Sequence, residues 1–314
     1  MTLRVMHLGA LAFVVAMAFG GLPTRNASGV QKLPQSPLPP WASSGFVAYK
    51  CGDALCVMRP DGSGNRYLLR AGRPVPQWDP AFSPNARMIA FRGYYGVGDG
   101  EYALYVVDAG GCASRRLTRS IAGNPSWSPD GKWIVFDTSG EGVLWKVHPD
   151  GAGLTRIFGS RGADYDASPS WSPNGRTIAF LHYHRGKGQI WLVRPDGHGA
   201  RLLHADAGGS DGPPVWSRDG SRIAFALQSG GGSSINVISA NGRNRHTLTD
   251  RSQKAFNPAW LPHDAGVAYL AATSGTGSLF VTRPNGTDVH RIGRLQTGQF
   301  IWVAAPLARK GCGG

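Results

Sequence analysis

Ser168-Pro-Ser-Trp-Ser-Pro-Asn-Gly-Arg-Thr-Ile-Ala-Phe180 is one of five stretches in this chain that spell nearly the same sentence. Before it stand Asp79-Pro-Ala-Phe-Ser-Pro-Asn-Ala-Arg-Met-Ile-Ala-Phe91 and Asn124-Pro-Ser-Trp-Ser-Pro-Asp-Gly-Lys-Trp-Ile-Val-Phe136. After it come Pro213-Pro-Val-Trp-Ser-Arg-Asp-Gly-Ser-Arg-Ile-Ala-Phe225 and the degraded Asn257-Pro-Ala-Trp-Leu-Pro-His-Asp-Ala-Gly-Val-Ala-Tyr269. The central aromatics Phe82, Trp127, Trp171, Trp216 and Trp260 are 45, 44, 45 and 44 residues apart. A period of this length with strand-like content indicates a β-propeller of four-stranded blades.

Local rules account for each part of the repeat. Proline ahead of the aromatic suits an extended inner strand. The aromatic offers more apolar surface than one sheet can bury, so it is expected to pack on the next blade. Ser-Pro-Asp-Gly is a tight turn. A second strand then alternates, with Ile134 and Phe136, Ile178 and Phe180, and Ile223 and Phe225 sharing one face. A third strand such as Gln189-Ile-Trp-Leu-Val193 ends in a further turn, as at Pro195-Asp-Gly197 and Pro149-Asp-Gly151. Short outer strands, such as Arg201-Leu-Leu203, close the blades.

The pattern Pro-x-Trp-Ser-Pro-Asp-Gly-x-x-Ile-Ala-Phe, followed by Pro-Asp-Gly and Leu-Thr, resembles the PD40 (WD40-like) repeat of TolB-type propellers. The Gly-His and Trp-Asp pairs of ordinary WD40 repeats do not recur from unit to unit. The resemblance covers roughly residues 45 to 303 and implies a TolB-like propeller. It does not imply TolB's own role, because TolB carries an α/β domain ahead of its propeller, and here a leader and a Pro-rich linker are expected instead.

Five complete units begin at residues 79, 124, 168, 213 and 257, and Gly45–Tyr49, Ala54–Met58 and Arg66–Leu69 supply three strands of another blade. Its innermost strand has two candidates, one around Trp41 and one at Gln299-Phe-Ile-Trp-Val303. The second is favoured, because end-to-end closure removes an open edge. The expected fold is therefore all-β: a six-bladed propeller of four-stranded antiparallel blades, closed by a C-terminal strand in blade one.

The apolar run from Leu8 to Leu22 after Arg4 reads as a secretory signal, with an uncleaved anchor as the alternative. The expected layout is a signal peptide at 1–29, a Pro-rich linker at 30–44, the propeller at 45–303 and a tail at 304–314. Export to the periplasm, the cell envelope or the extracellular space follows, as a monomer with no membrane span once the signal is cleaved. Four cysteines in an exported chain suggest two disulfides. Cys51 and Cys56 flank one hairpin loop, and Cys112 and Cys312 fall toward one face of the ring, so Cys51–Cys56 with Cys112–Cys312 is the expected pairing.

The net charge of +14 invites an anionic partner. Much of the arginine excess lies on or beside outer strands, for example Arg115, Arg116, Arg119, Arg156 and Arg201, where charge discourages edge-to-edge association. An anionic cell-wall polymer is a second candidate partner, and nucleic acid is not one. A search for catalytic motifs returns little. Gly208-Gly-Ser-Asp-Gly212 fits Gly-x-Ser-x-Gly, but it runs into Pro213-Pro214 where a nucleophile elbow needs a helix.

The remaining chemistry maps to the loops between second and third strands and between blades, which open on one face. Tyr94, Tyr95, Asp99, Glu101, Glu141, Asp164, Tyr165, Asp166, His182 and His184 are the candidate binding residues. No catalytic residue and no cofactor are assigned. A divalent metal near the axial channel is a lesser candidate, to which His182 and His184, two apart on a strand, add imidazoles. The expected function is non-enzymatic: binding a protein or peptide in the cell envelope through the loop-rich face. The alternative is a metal-dependent hydrolase or lactonase, or a polysaccharide lyase, working at that face.

Overall fold

The structure is a computed structural model. It describes residues 46–303 except for 52–53, 62, 70–74, 96–100, 109–113, 120–121, 139–140, 160–163, 207–208, 274–275 and 296–299. Six antiparallel sheets follow one another along the chain as blades of a propeller. Blade two, from its inner to its outer strand, runs Val75–Phe82, Met88–Tyr95, Glu101–Asp108 and Ser114–Arg116. Blade three runs Ala122–Trp127, Ile134–Thr138, Val143–Val147 and Thr155–Gly159. Blade four runs Tyr165–Trp171, Ile178–His184, Lys187–Val193 and Arg201–His204.

Closure occurs as expected. Phe300–Val303 is the innermost strand of blade one, antiparallel to Phe46–Cys51, with Val47 opposite Trp302 and Tyr49 opposite Phe300. Both ends of the described chain thus lie in one sheet. Trp41, the rival for that slot, the proposed leader and linker, Cys112 and Cys312 lie outside the described residues. Cys51 and Cys56 form the expected disulfide across their hairpin, which pairs Tyr49 with Cys56.

The Ser-Pro-Asp-Gly turn explains its own composition. The Ser128 hydroxyl donates to Asp130 Oδ1 at 2.6 Å, and the same oxygen accepts the Lys132 amide at 3.0 Å. Ser128 Oγ in turn accepts the Trp133 amide at 2.9 Å. Ser83 with Asn85 and Ser172 with Asn174 repeat this pattern, and Ser217 donates likewise to Asp219. A short polar side chain that bonds its own backbone two residues on is what makes such a turn self-sufficient.

The core forms between blades. Trp127 of blade three packs with Ala90, Leu104 and Val106 of blade two, while Val135, on the other face of blade three, packs with Trp171 and Phe180 of blade four. Phe91, Phe136, Phe180, Phe225 and Tyr269, the last aromatics of the five repeats, are at most 1% exposed. Each such burial stabilises by roughly 1.5–3 kcal/mol. Indole N–H groups add directed bonds across the seams: Trp127 donates to Ala81 O at 3.0 Å, Trp216 to Ser170 O at 3.1 Å and Trp260 to Val215 O at 3.0 Å. Trp171 instead donates to Gly175 O in its own turn, at 3.2 Å.

In four inner strands the residue before the repeat's proline leaves the extended conformation. Asp79, Asn124, Ser168 and Asn257 have φ of 57°, 48°, 51° and 50°, and the inner-strand register shifts at each. Each X-Pro is thus a bulge, and Asp and Asn suit it because they tolerate the left-handed region better than most residues. Blade five breaks further, its inner strand divided into Gly209–Asp211 and Val215–Trp216. Ser210 therefore lies in a strand opposite Gln228, with no helix after it, and the hydrolase-like motif is no nucleophile elbow.

Candidate functional site

The bulged inner strands line a channel along the propeller axis, with a volume of about 540 Å³. Among the described residues its wall is built from the repeat itself. Asp79, Asn124, Ser168 and Asn257 stand at one level, Pro80, Pro125, Pro169, Pro214 and Pro258 follow, and Trp127, Trp216 and Trp260 lie deeper. Pro84, Arg218 and Pro262 mark the far end, by the tight turns. Proline walls expose no backbone N–H from those positions, so the channel is a largely apolar tube with a polar collar. These residues were assigned only to folding by the sequence reading. Their inner-strand position was the available signal, since inner strands border the axis of any propeller.

Next to the collar, Asp137 is buried on the second strand of blade three. Its Oδ2 accepts the Ser168 amide of blade four at 2.6 Å and the Asn124 amide side chain at 2.8 Å. Burial nevertheless dominates and pushes its carboxyl up to about 7, with those two bonds and Arg92 opposing and Asp79 reinforcing the rise. Asp137 thus ties blade three to blade four beside the channel mouth. It also escaped the sequence reading, although aligning the repeats exposes it. The residue after the last aromatic is Arg92, Asp137, Leu181, Ala226 and Leu270 in turn. Two charges at a position that is otherwise apolar mark a departure from the scaffold.

The candidate residues on the loop face fall into separate groups. Tyr94 packs against Tyr102 with ring centroids 5.3 Å apart, and Tyr95 pairs with Glu101 across the hairpin backbone. Asp99 lies outside the described residues. Glu141 is exposed in the next loop, beside Gly142. Gly142 has φ of 59°, and a Cβ there would collide with the Tyr165 Cβ, so only glycine lets this loop approach blade four. Its carbonyl accepts the Asp166 amide at 3.0 Å.

Blade four gathers the rest. Asp164-Tyr165-Asp166 runs antiparallel to His182-Tyr183-His184, with Tyr165 opposite Tyr183 and Asp166 opposite His182. Alternation then sorts them, tyrosines on one face and acid–imidazole pairs on the other. The two phenol rings stack at 4.2 Å, and burial raises both above the usual tyrosine range. On the opposite face His182 Nδ1 lies 2.8 Å from Asp166 Oδ1, and His184 Nδ1 lies 3.0 Å from Asp164 Oδ2. His182 Nε2 is 3.9 Å from that same Asp164 oxygen. The hydrogen bond with His184 holds the Asp164 carboxyl below its usual range. One ligand atom each from Asp164, His182 and His184 lies within 4.8 Å of the others.

Residues 150–301 match the family described as the TolB β-propeller domain, PD40. Over that stretch the chain resembles a TolB propeller. Among solved structures, TolB from Acinetobacter baumannii superposes with a TM-score of 0.70 at 22% identity, covering 83% of this chain and 67% of that one. Oligogalacturonate lyase in complex with manganese superposes at 0.55 with 12% identity, covering 83% and 73%. At those identities the likeness concerns the fold. An uncharacterized protein of Agrobacterium fabrum is 29% identical over 118 residues, which is 36% of this chain and 39% of that relative's length. Among the described residues, no helix is long and apolar enough to cross a membrane.

Proposed function

We propose that this TolB-like propeller is an exported, non-enzymatic binding protein of the cell envelope that receives a protein or peptide segment at its loop-rich face and channel mouth. The observation that carries this reading is the channel: about 540 Å³, walled by prolines and tryptophans and collared by Asp79, Asn124, Ser168 and Asn257. Such a volume lies within the ordinary range of ligand sites, and a few polar groups around an apolar wall are the usual means of orienting a ligand. Aromatic and proline surfaces give contact area at little cost in side-chain entropy. Export rests on the apolar leader read in the sequence. The lyase alternative has only a fold likeness at 12% identity beside it, and fold alone does not carry chemistry.

Filling the channel tests the reading. Ser170 and Ala259 line it, and S170W with A259W should occlude it. Capture of peptide ligands selected from an envelope-derived peptide library should fall sharply in the double variant, while thermal unfolding stays cooperative. Retention of capture after occlusion, with loss after neutralising Arg115, Arg116 and Arg119, would shift the working surface to the basic outer rim and an anionic polymer.

A further inference from the structure

The geometry points to a divalent transition-metal site on the loop face of blade four, ligated by Asp164, His182 and His184 and backed by Asp166. This inference stands apart from the peptide-binding reading, since it rests on different residues and either one can fail alone.

The backbone register brings the donors together. Asp166 lies on the inner strand of blade four opposite His182, Asp164 immediately precedes that strand, and His184 ends the second strand. Period-two alternation puts Asp166, His182 and His184 on one face, and Asp164, one residue ahead of the strand, reaches the same face through its bond with His184. Sites built on strands are more precise than sites on loops.

The use of the two ring nitrogens fits a metal ligand. Asp166 Oδ1, 2.8 Å away, engages His182 Nδ1. The other nitrogen, Nε2, is 3.9 Å from Asp164 Oδ2. A carboxylate holding one nitrogen while the other turns to the ion is the usual outer shell of a metal-binding histidine. The Asp166 side chain is 0% exposed and that of His182 11% exposed, so their alignment is locked, whereas Asp164 at 27% and His184 at 44% border solvent. Buried support beneath ligands that face outward gives an ion a route in.

Distances and donor types narrow the ion. With bonds of about 2.0–2.2 Å, ligand atoms around a tetrahedral ion stand about 3.3–3.6 Å apart. The separations of 3.0 and 3.9 Å from Asp164 Oδ2 bracket that spacing, and all three ligand atoms lie within 4.8 Å of one another. The half-exposed His184 has room to turn and complete the set as its hydrogen bond to Asp164 gives way to the ion. Two imidazoles and one carboxylate favour zinc and its first-row neighbours over calcium or magnesium, which take all-oxygen shells. Three protein ligands leave at least one position for water or an incoming ligand.

The test uses tag-free, chelator-treated full chain titrated with Zn2+ by calorimetry, and with Co2+ followed by visible absorption. The expected result is saturable uptake of one Zn2+ per chain, and cobalt bands of a low-symmetry, nitrogen-ligated ion. H184A and D164N alter side chains at the solvent border, so they should keep the wild-type unfolding temperature of the metal-free protein while abolishing both signals. D166N should weaken Zn2+ binding about 10- to 100-fold without changing the stoichiometry, as loss of an outer-shell partner does. Absence of saturable uptake by the wild type, or uptake and cobalt spectra unchanged in H184A and D164N, overturns the proposal.

Discussion

Replacing Asp137 by asparagine should make the protein relatively more stable as the pH rises. In the native state this carboxyl is buried against Ser168 and Asn124, and burial pushes its pKa from the ordinary 3.8 to about 7. The unfolded chain therefore gives up this proton first. Stability linked to the group is whole below about pH 4 and declines as pH climbs toward 7, because the native state must ionise a carboxyl it holds away from water. The shift spans about three units at 1.36 kcal/mol each, so the decline amounts to about 4 kcal/mol. Asparagine stays neutral and keeps an oxygen for the Ser168 amide, so it does not feel this slope.

Urea denaturation of wild type and D137N at a series of pH values from 4 to 8, followed by tryptophan fluorescence, isolates the effect, since groups common to both proteins cancel in the difference. The stability of wild type minus that of D137N should fall by about 4 kcal/mol between the ends of the series. A flat difference would refute the reasoning, for it would mean that Arg92 and the two hydrogen bonds fully compensate the buried charge. A rise with pH would show that Asp137 is held ionised and stabilises the fold as an anion.

Two further predictions concern the ring itself. Trp127→Ala removes a buried indole and its bond to Ala81 O across the blade-two seam, and should cost about 3–5 kcal/mol in urea denaturation, as large core truncations do. Deleting residues 298–314 removes the strand that pairs with Phe46–Cys51 and leaves an open sheet edge. The shortened chain should lose cooperative unfolding and elute as aggregates in size-exclusion chromatography; a monomer of unchanged stability would mean the strand is dispensable to closure.

The scaffold was legible because a propeller repeats its rules. Trp127, Trp216 and Trp260 each fill the same seam position, and Ser128 with Asp130 closes the same turn as Ser217 with Asp219, so every unit confirms the others. The hairpin disulfide was legible from spacing, and ring closure from an orphan strand. The bulge at each X-Pro was missed, because proline biases the residue before it toward extended conformations, whereas Asp79, Asn124, Ser168 and Asn257 are held left-handed by the turn into the axial wall. Site residues were legible as a list and not as an arrangement. His182 and His184 were seen to share a side, but their acidic partners depend on the register across a bulge between Ala167 and Ser170, which shifts the pairing by more than any spacing rule foretells.

In a ring of near-identical blades, equivalent positions do equivalent structural work, so polar side chains found in some blades only are not required by the fold. Past the last aromatic of the repeat, blades five and six continue with Ala226-Leu227-Gln228-Ser229 and Leu270-Ala271-Ala272-Thr273, the first two residues apolar in each. Blade two has Arg92 and Tyr94 there, blade three has Asp137, and blade four has His182, Tyr183 and His184. The apolar pairs show that the seam closes without charge, and burying Asp137 carries an energetic cost that a leucine would avoid. Among blades two to six the charged, imidazole and aromatic departures fall in blades two to four, toward the loop-bearing end of the second strand, while blade five adds only Gln228 and Ser229. A ligand centred on the axis would meet all blades alike; one that uses these groups must approach off-centre, over the sector of blades two to four. The aromatics Tyr94, Tyr102, Tyr165 and Tyr183 lie in that same sector. Occlusion by S170W, on blade four, should therefore weaken capture more than A259W on blade six, and equal effects of the two single variants would place the ligand on the axis instead.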